Sequence, residues 1–285
     1  MLGYHNHNFF CDGERSIEEY VQEAVKQGFN AVGISSHAPF NFFNKWSIST
    51  ENLNKYANEI DFFKEKYAKK ITVLKSLEID FAPGFIRSFD YFKEKYQLDY
   101  TIGSIHYVVH PKTKELLFID GSKKEFDKNL QKIFDGNLRY AIETYFEQTK
   151  QMISQEKPDI VGHIDKIVMN SGLLPHSYPD WYFRQIEVLL DFVGKSNSIV
   201  ELNLRGVIKN KWSTTFPDEQ LLPLCKQKGI SFVISADAHR PEEVGLYYNY
   251  AVEALINTGI ETIMQFVGNR WSTVALHKSD YNNKY

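Results

Sequence analysis

The chain has 285 residues, with 33 basic and 36 acidic side chains and a formal net charge of −3. This near-neutral balance argues against a general nucleic-acid-binding protein, which needs an excess of basic residues. Its two cysteines, Cys11 and Cys225, exclude a disulfide scaffold and a four-cysteine zinc finger. A membrane span requires about 18 consecutive apolar residues, and the sequence has no such run. Because the first residues also lack the pattern of a signal peptide, we expect a cytoplasmic globular protein.

Short apolar segments without internal proline alternate along the chain with amphipathic stretches. Such segments are typical of strands that are buried on both faces of a sheet. The predicted strands are residues 1–7, 31–37, 71–80, 99–108, 159–165, 198–206 and 231–239. The predicted helices are residues 16–28, 49–67, 126–134, 138–155, 181–193, 218–229 and 241–259. The first of these helices has a clear start signal, because Ser16 and Glu19 form a capping-box pattern.

Seven strand–helix units in succession predict a parallel sheet, and units of this kind normally close into a barrel. We therefore predict an α/β fold in which residues 1–285 form a single barrel domain, with residues 277–285 as a tail. Residues 261–276 fit either an eighth strand or a cover for the bottom of the barrel. An open doubly wound sheet is the alternative fold, but the first strand–helix turn lacks the glycine-rich phosphate loop that would support it.

Imidazoles and carboxylates recur where the predicted strands end. They are His5, His7, Asp12, His37, Glu78, His106, His163, Asp237 and His239. In a barrel the carboxyl ends of the strands converge on one face, so these side chains should share one pocket. Such ligands suit Zn, Fe, Mn or Co, and the set is large enough for two or three ions with a bridging carboxylate. The remaining histidines, His110, His176 and His277, do not follow this pattern and are expected in loops or at the surface.

The motifs at these positions resemble, in the same order, those of the PHP family, which is named for polymerase and histidinol phosphatase. They are HNHNFFCDG (5–13), SSH (35–37), Glu78, GSIH (103–106), GHID (162–165) and SADAH (235–239). The resemblance covers residues 1–245 and is strongest to the histidinol phosphate phosphatase branch. GISSHAP (33–39), LEIDFAPG (77–84), GSIHYV (103–108) and DAHRP (237–241) look like that branch. The polymerase-associated branch usually has Thr-Asp-His where this chain has Ser-Ser-His.

The resemblance implies a distorted (β/α)7 TIM-like barrel that holds three divalent metal ions, with zinc preferred over Mn, Fe and Co. It divides the predicted ligands into three groups. One metal would be held by His5, His7, Glu78 and Asp237, a second by Glu78, His106 and His163, and the third by Asp12, His37 and His239. Every family position carries the expected residue type, so the resemblance implies a complete centre.

We therefore expect a phosphomonoesterase that hydrolyses L-histidinol phosphate, a small-molecule substrate, in histidine biosynthesis. A water bridging two metals would be deprotonated near neutral pH and could attack the phosphorus in line. Asp237 and His239 are the candidates for the acid that protonates the leaving alkoxide. The alternatives are a different substrate, such as another small monoester, phosphotyrosine or a nucleic-acid end, and a metal-binding barrel without enzymatic activity. The sequence leaves the oligomeric state open.

Three cations are candidates for contacts with the phosphate. Arg205 follows the one predicted strand without a metal ligand, and its guanidinium can hold phosphate oxygens in a bidentate way. Lys166 and Arg240 follow other predicted strands closely and are the further candidates. The aromatic-rich residues 37–47 either line the substrate pocket or pack over helix ends. Residues 107–124 have the pattern of a hairpin, which is either a lid or a plain insertion.

Overall fold

A computed structural model describes residues 1–175 and 177–278, and its central feature is a ring of parallel strands. In this part of the chain the ring consists of β1 (Leu2–Gly3), β2 (Ala31–Ile34), β3 (Thr72–Asp80), β4 (Tyr100–Ser104), β7 (Ile160–Val161), β8 (Ile199–Asn203) and β9 (Ser231–Ser235). Two antiparallel hairpins complete the strands: β5 (Tyr107–Val109) with β6 (Leu116–Phe118), and β10 (Thr262–Val267) with β11 (Arg270–Ala275).

The seven parallel strands follow the order β1-β2-β3-β4-β7-β8-β9. The two outer strands meet beyond their ends, where Asn6 and Ala238 form a parallel bridge and the His7 amide donates to the Ala238 carbonyl at 2.7 Å. The predicted (β/α)7 barrel is therefore confirmed as a nearly closed, single-domain fold. The alternative of an open doubly wound sheet is wrong, because the strands succeed one another around the ring without a reversal of order.

Helices cover the outside of the ring. Those in the described residues are α1 (Ile17–Lys26), α2 (Leu53–Tyr67), α3 (Phe89–Tyr96), α4 (Lys123–Phe134), α5 (Leu138–Gln155), α6 (Asp180–Ser196), α7 (Arg205–Ile208), α8 (Leu222–Gln227) and α9 (Tyr248–Thr258). The predicted capping box is present, since the Ser16 amide donates to the Glu19 carboxylate at 2.9 Å. The sequence pattern did not predict α3 or α7, which are short elements of eight and four residues.

The β10–β11 hairpin closes the bottom of the barrel. Its residues Phe266 and Trp271 pack against an apolar cluster inside the lower ring that includes Tyr4 and Tyr100. The rings of Tyr4 and Trp271 lie 5.2 Å apart, and the Phe266 amide donates to the Tyr4 hydroxyl at 2.9 Å. Of the two possibilities for residues 261–276, the cover is therefore correct. An eighth strand is excluded because the bridge between the residues after β1 and β9 joins the ends of the ring directly.

The predicted hairpin within residues 107–124 is present as β5 and β6, and it stands beside the barrel mouth. His110 is buried in this hairpin, where its Nδ1 accepts from the Thr113 amide at 3.1 Å. His277 is exposed, as expected. His176 and residues 279–285, which include most of the predicted tail, lie outside the described residues. No helix in the part of the chain that is described is long and apolar enough to cross a membrane.

Candidate metal centre and adjoining cavity

Glu78 lies at the centre of the barrel mouth, and imidazoles from several strand ends surround its carboxylate. Its Oε2 lies 2.8 Å from His37 Nδ1, 3.2 Å from His5 Nε2 and 3.4 Å from His7 Nε2. Its Oε1 lies 3.0 Å from His163 Nε2 and 4.0 Å from His106 Nε2. This side chain is 1 % exposed and is shared by five rings, so it occupies the position of a bridging ligand.

Asp237 and Asp12 extend the same cluster towards solvent. Asp237 Oδ1 lies 3.2 Å from His7 Nε2 and 3.6 Å from His239 Nδ1. Asp12 Oδ1 lies 3.4 Å from His239 Nε2 and 3.6 Å from His37 Nε2. The structure therefore gathers all nine predicted ligand residues at one mouth, although they are spread from residue 5 to residue 239.

Within the residues that the structure describes, three groups of donor atoms are close enough to share a cation. The groups are His5, His7 and Asp237; His37, Glu78 and His106; and His7, Asp12, His37 and His239, each with its donor atoms within 4.8 Å of one another. Four of the buried atoms lie close to other donor atoms but make no hydrogen bond of suitable geometry: His5 Nε2, His7 Nε2, Glu78 Oε2 and Asp237 Oδ1. A buried polar atom without a partner is costly, and this donor set is the one that zinc and similar ions bind. The residues therefore fit a divalent metal centre.

The charges of Glu78, Asp237 and His7 match this interpretation, whereas the surrounding carboxylates outweigh burial and raise the pKa of His5 and His37, so that a cation bound there would displace a proton. Burial alone would raise the pKa of Glu78, but the imidazoles of His5, His37 and His106 hold that pKa well below its ordinary value. Asp237 behaves in the same way, because burial is outweighed by His5, His7 and His239. Burial and the neighbouring rings of His37 and His239 lower the pKa of His7, although Asp237 opposes this. Anionic carboxylates and a neutral His7 ring are the forms that bind metal.

Several imidazoles are oriented by groups that the sequence analysis did not identify. Glu201 Oε2 lies 2.8 Å from His5 Nδ1, and its Oε1 accepts from the His163 amide at 2.8 Å. Asp80 Oδ2 lies 2.8 Å from His106 Nδ1. Asn203 donates to Glu201 at 2.7 Å and to Asp237 at 3.2 Å.

The strand without a predicted ligand, β8, thus supplies two of the residues that position the ligands. A signal for them was present in the sequence, because Glu201 and Asn203 are polar residues two positions apart in an otherwise apolar strand and therefore share one face.

Cys11 lies beside the centre with its Sγ 3.5 Å from His7 Nδ1. Burial raises the pKa of its thiol to about 11, so the side chain is a neutral thiol at physiological pH. It therefore contacts a ligand ring from behind and is not itself within the donor groups.

A cavity of about 220 Å³ opens next to the nine residues. Its lining includes the basic side chains Lys166, Arg205, Lys209 and Lys211 and the aromatic side chains Trp46 and Phe118. Lys209 and Lys211 were not predicted site residues, although they belong to a visibly basic loop. The aromatic loop 37–47 contributes Trp46 to this lining, so part of that loop does line the pocket. The hairpin contributes Phe118.

Arg205 and Lys166 are both buried at the cavity wall, and each has a carboxylate partner. Arg205 Nη1 lies 2.6 Å from Glu243 Oε2, while its buried Nε makes no hydrogen bond. Lys166 Nζ lies 2.9 Å from Asp120 Oδ2 and 3.3 Å from His106 Nε2. Both cations are therefore held by ion pairs next to the candidate metal ligands.

Arg240 is placed differently from the other two predicted phosphate contacts. Its Nε pairs with Glu14 Oε1 at 2.8 Å, and both side chains are about half exposed. It is not among the residues that line the cavity. The side chain therefore lies at the exposed rim, just before the 3-10 turn Pro241–Glu243.

The fold and this donor set define a class of protein: a (β/α)7 barrel whose mouth is built for divalent metal ions. The sequence profile of the PHP domain matches residues 3–205, and the chain belongs to the PHP domain family.

The chain is 27% identical over 276 residues to a protein of Schizosaccharomyces pombe named "Probable histidinol-phosphatase". This alignment covers 91% of this chain and 86% of that protein. The chain is 25% identical over 267 residues to the histidinol-phosphatase of Bacillus subtilis, covering 88% of this chain and 97% of that protein.

Two solved structures share the barrel. A candidate histidinol phosphatase of Listeria monocytogenes superposes with a TM-score of 0.77 at 23% identity and covers 88% of this chain and 99% of its own. Histidinol phosphate phosphatase of Lactococcus lactis, solved with zinc, L-histidinol and phosphate, superposes with a TM-score of 0.66 at 20% identity, with 95% and 98% coverage. At these identities the likeness establishes the fold.

Proposed function

We propose that this protein is a metal-dependent phosphomonoesterase that hydrolyses L-histidinol phosphate to L-histidinol and phosphate. The observation that carries the proposal is a set of four buried donor atoms that make no hydrogen bond of suitable geometry and yet converge on one another, beside a cavity lined by basic side chains. Relatives in two kingdoms named histidinol-phosphatase support the choice of substrate, as does the neighbouring fold that was solved with L-histidinol and phosphate.

We assign the nine residues to three divalent cations, with zinc as the preferred ion. One would be held by His5, His7, Glu78 and Asp237, a second by Glu78, His106 and His163, and a third by Asp12, His37 and His239. Glu78 supports this arrangement because both of its carboxylate oxygens contact imidazoles. Bound at these residues, the ions would supply Lewis acidity and lower the pKa of bound water.

The chain's own cations would bind the phosphate. Arg205 offers an unpartnered, buried Nε, and the Glu243 carboxylate holds its guanidinium in place. Lys166 reaches the edge of the ligand cluster at His106. A rigid guanidinium and a buried ammonium are suited to the dianion of a phosphate monoester, and they stabilise charge that develops on its oxygens.

The leaving alcohol must receive a proton. Asp237 and His239 both line the cavity, and the His239 ring is oriented by the Asp237 carbonyl at 3.0 Å from Nδ1. We assign proton delivery to one member of this pair. A carboxylate or imidazole that holds an ion has no free proton, so the donor would be whichever of the two is released from its ion and protonated during turnover; both reach the cavity in which the leaving alcohol would lie.

The test is a panel of phosphate monoesters offered to zinc- or manganese-loaded protein, with L-histidinol phosphate, phosphotyrosine and p-nitrophenyl phosphate included. We expect L-histidinol phosphate to have the highest kcat/KM and chelated protein to be inactive until metal is restored. His106→Asn should abolish turnover, whereas His277→Asn, at an exposed position, should not. Full activity in metal-free protein would refute the mechanism, and preferred turnover of phosphotyrosine would replace the substrate while retaining the phosphoesterase.

A further inference from the structure

The cavity contains one carboxylate that the metal centre does not use. Among the described residues that line it, the acidic ones are Asp12, Asp120 and Asp237. Asp12 and Asp237 belong to the proposed ligand groups, but Asp120 does not. It follows β6 at the base of the hairpin, and its Oδ1 accepts from the Gly121 amide at 2.9 Å, which fixes the direction of the carboxylate.

Asp120 is connected to the candidate metal centre through the ammonium group of Lys166. Lys166 Nζ occupies the space between them, 2.9 Å from Asp120 Oδ2 and 3.3 Å from His106 Nε2. A molecule with its phosphate at the metal centre would therefore bring a group on a neighbouring carbon close to Asp120. The carboxylate can accept hydrogen bonds but cannot donate them, so it selects for a cation or another donor.

Aromatic rings form the wall next to this carboxylate. Trp46 and Phe118 stack with centroids 6.1 Å apart and an angle of 23° between their planes, and both line the cavity. Phe118 and Asp120 come from the same strand end, so the hairpin presents an aromatic face and an anion together. Aromatic faces also attract cations and flat heterocycles.

We propose that Asp120 is the specificity-determining residue that binds the ammonium group of the substrate, and that Trp46 and Phe118 form the wall against which the rest of the leaving group packs. The substrate class is then a phosphate monoester with a protonated amine on the carbon next to the ester carbon. This inference rests on the proposed phosphatase activity and deepens it, because it states why an amino alcohol is chosen.

The arrangement of Lys166 supports this role. A bound phosphate dianion attracts the Lys166 ammonium, which weakens its pairing with Asp120. The Asp120 side chain is 26 % exposed, and a partly buried carboxylate whose pairing is weakened gains from a new cationic partner, which an ammonium group on the substrate would supply. The simpler alternative is that Asp120 only holds Lys166 in place, and it makes a different prediction, because losing such a support would affect all phosphate esters equally.

The experiment compares Asp120→Asn with the unmodified enzyme on two substrates: L-histidinol phosphate and its analogue without the amine. For the aminated ester we expect kcat/KM to fall by roughly 10- to 100-fold more than for the deaminated ester, the loss typical of a hydrogen bond to a charged group. Binding of L-histidinol to the metal-loaded enzyme, measured by calorimetry in the presence of phosphate, should weaken by a similar factor. Asp127→Asn, at an exposed position on α4, is the matched control and should change neither quantity.

An equal loss on both esters would overturn the proposal and leave Asp120 as a support for Lys166. If Asp120→Asn hydrolysed both esters as fast as the unmodified enzyme, the proposal would also be overturned. Hydrolysis of p-nitrophenyl phosphate separates this failure from a failure of the proposed function. If the unmodified, metal-loaded enzyme hydrolyses that ester but does not prefer the amine, only the inference about Asp120 is wrong; if it hydrolyses no ester, both are wrong.

Discussion

Glu201 Oε2 lies 2.8 Å from His5 Nδ1, although the two residues are 196 positions apart and Glu201 belongs to β8 while His5 follows β1. The contact leaves His5 Nε2 directed towards Glu78 at 3.2 Å. A carboxylate behind a ligand imidazole fixes the tautomer and the direction of the ring and makes the ring a stronger ligand. Because the other oxygen of Glu201 holds the His163 amide, one side chain positions two of the proposed ligands.

Replacing Glu201 by glutamine should therefore weaken metal binding. The amide keeps the volume of the side chain but loses its charge, and we expect about a 10- to 100-fold lower affinity for zinc. Competition with a chromophoric chelator measures this directly, without any substrate. The matched control is Glu187→Gln, an exposed position on α6. Equal affinity in Glu201→Gln and the unmodified protein would show that Glu201 has no influence on the centre.

Arg205→Ala should raise KM for phosphate monoesters by roughly 10- to 100-fold, because a charged hydrogen-bond donor to the phosphate is removed. Steady-state kinetics with metal-loaded enzyme would show it. Arg240→Ala removes the same kind of side chain from the rim, where it pairs with Glu14, and should leave KM unchanged. If Arg240→Ala had the larger effect, the assignment of the phosphate site would have to move to the rim.

Loading the centre should stabilise the fold. A ligand at about 100 times its dissociation constant adds roughly 2.7 kcal/mol, which corresponds to about 4–5 °C in Tm for a protein of this size. Differential scanning calorimetry of chelated and reloaded protein measures the change. A variant with both His5 and His7 replaced by asparagine should show little of it. An identical Tm for chelated and reloaded unmodified protein would argue against a resident metal centre.

Trp271→Ala should destabilise the protein through the bottom of the barrel. The indole packs against Tyr4, Tyr100 and Phe266. Deletion of a fully buried aromatic side chain lowers the free energy of unfolding by about 3–5 kcal/mol. Because Trp271 is only half-buried, we expect a loss below that range. Urea denaturation gives the free energy of unfolding. Val267→Ala, which is 56% exposed near the turn of the same hairpin, should cost little. If both variants were equally stable, the hairpin would not contribute to the core.

The sequence by itself predicted the strands, most of the helices and the nine residues that meet at the barrel mouth. This was possible because doubly buried parallel strands are short apolar runs, and because His and acidic residues at their ends have no role in an apolar core. His5 and His7 share a face by the strand period alone. The order of the units also implied that Glu78 and Asp237 would meet at the same mouth of a barrel.

Only the tertiary structure decided which groups stand behind and beside those ligands. Glu201, Asp80 and Asp120 are ordinary carboxylates in sequence, and their partners lie on other strands or in the hairpin. Arg205 and Arg240 each follow a strand closely, yet one is buried at the cavity and the other pairs at the rim. The local pattern of apolar and polar residues indicates which face of a helix or strand is buried. The distance between side chains on separate elements depends instead on how those elements pack.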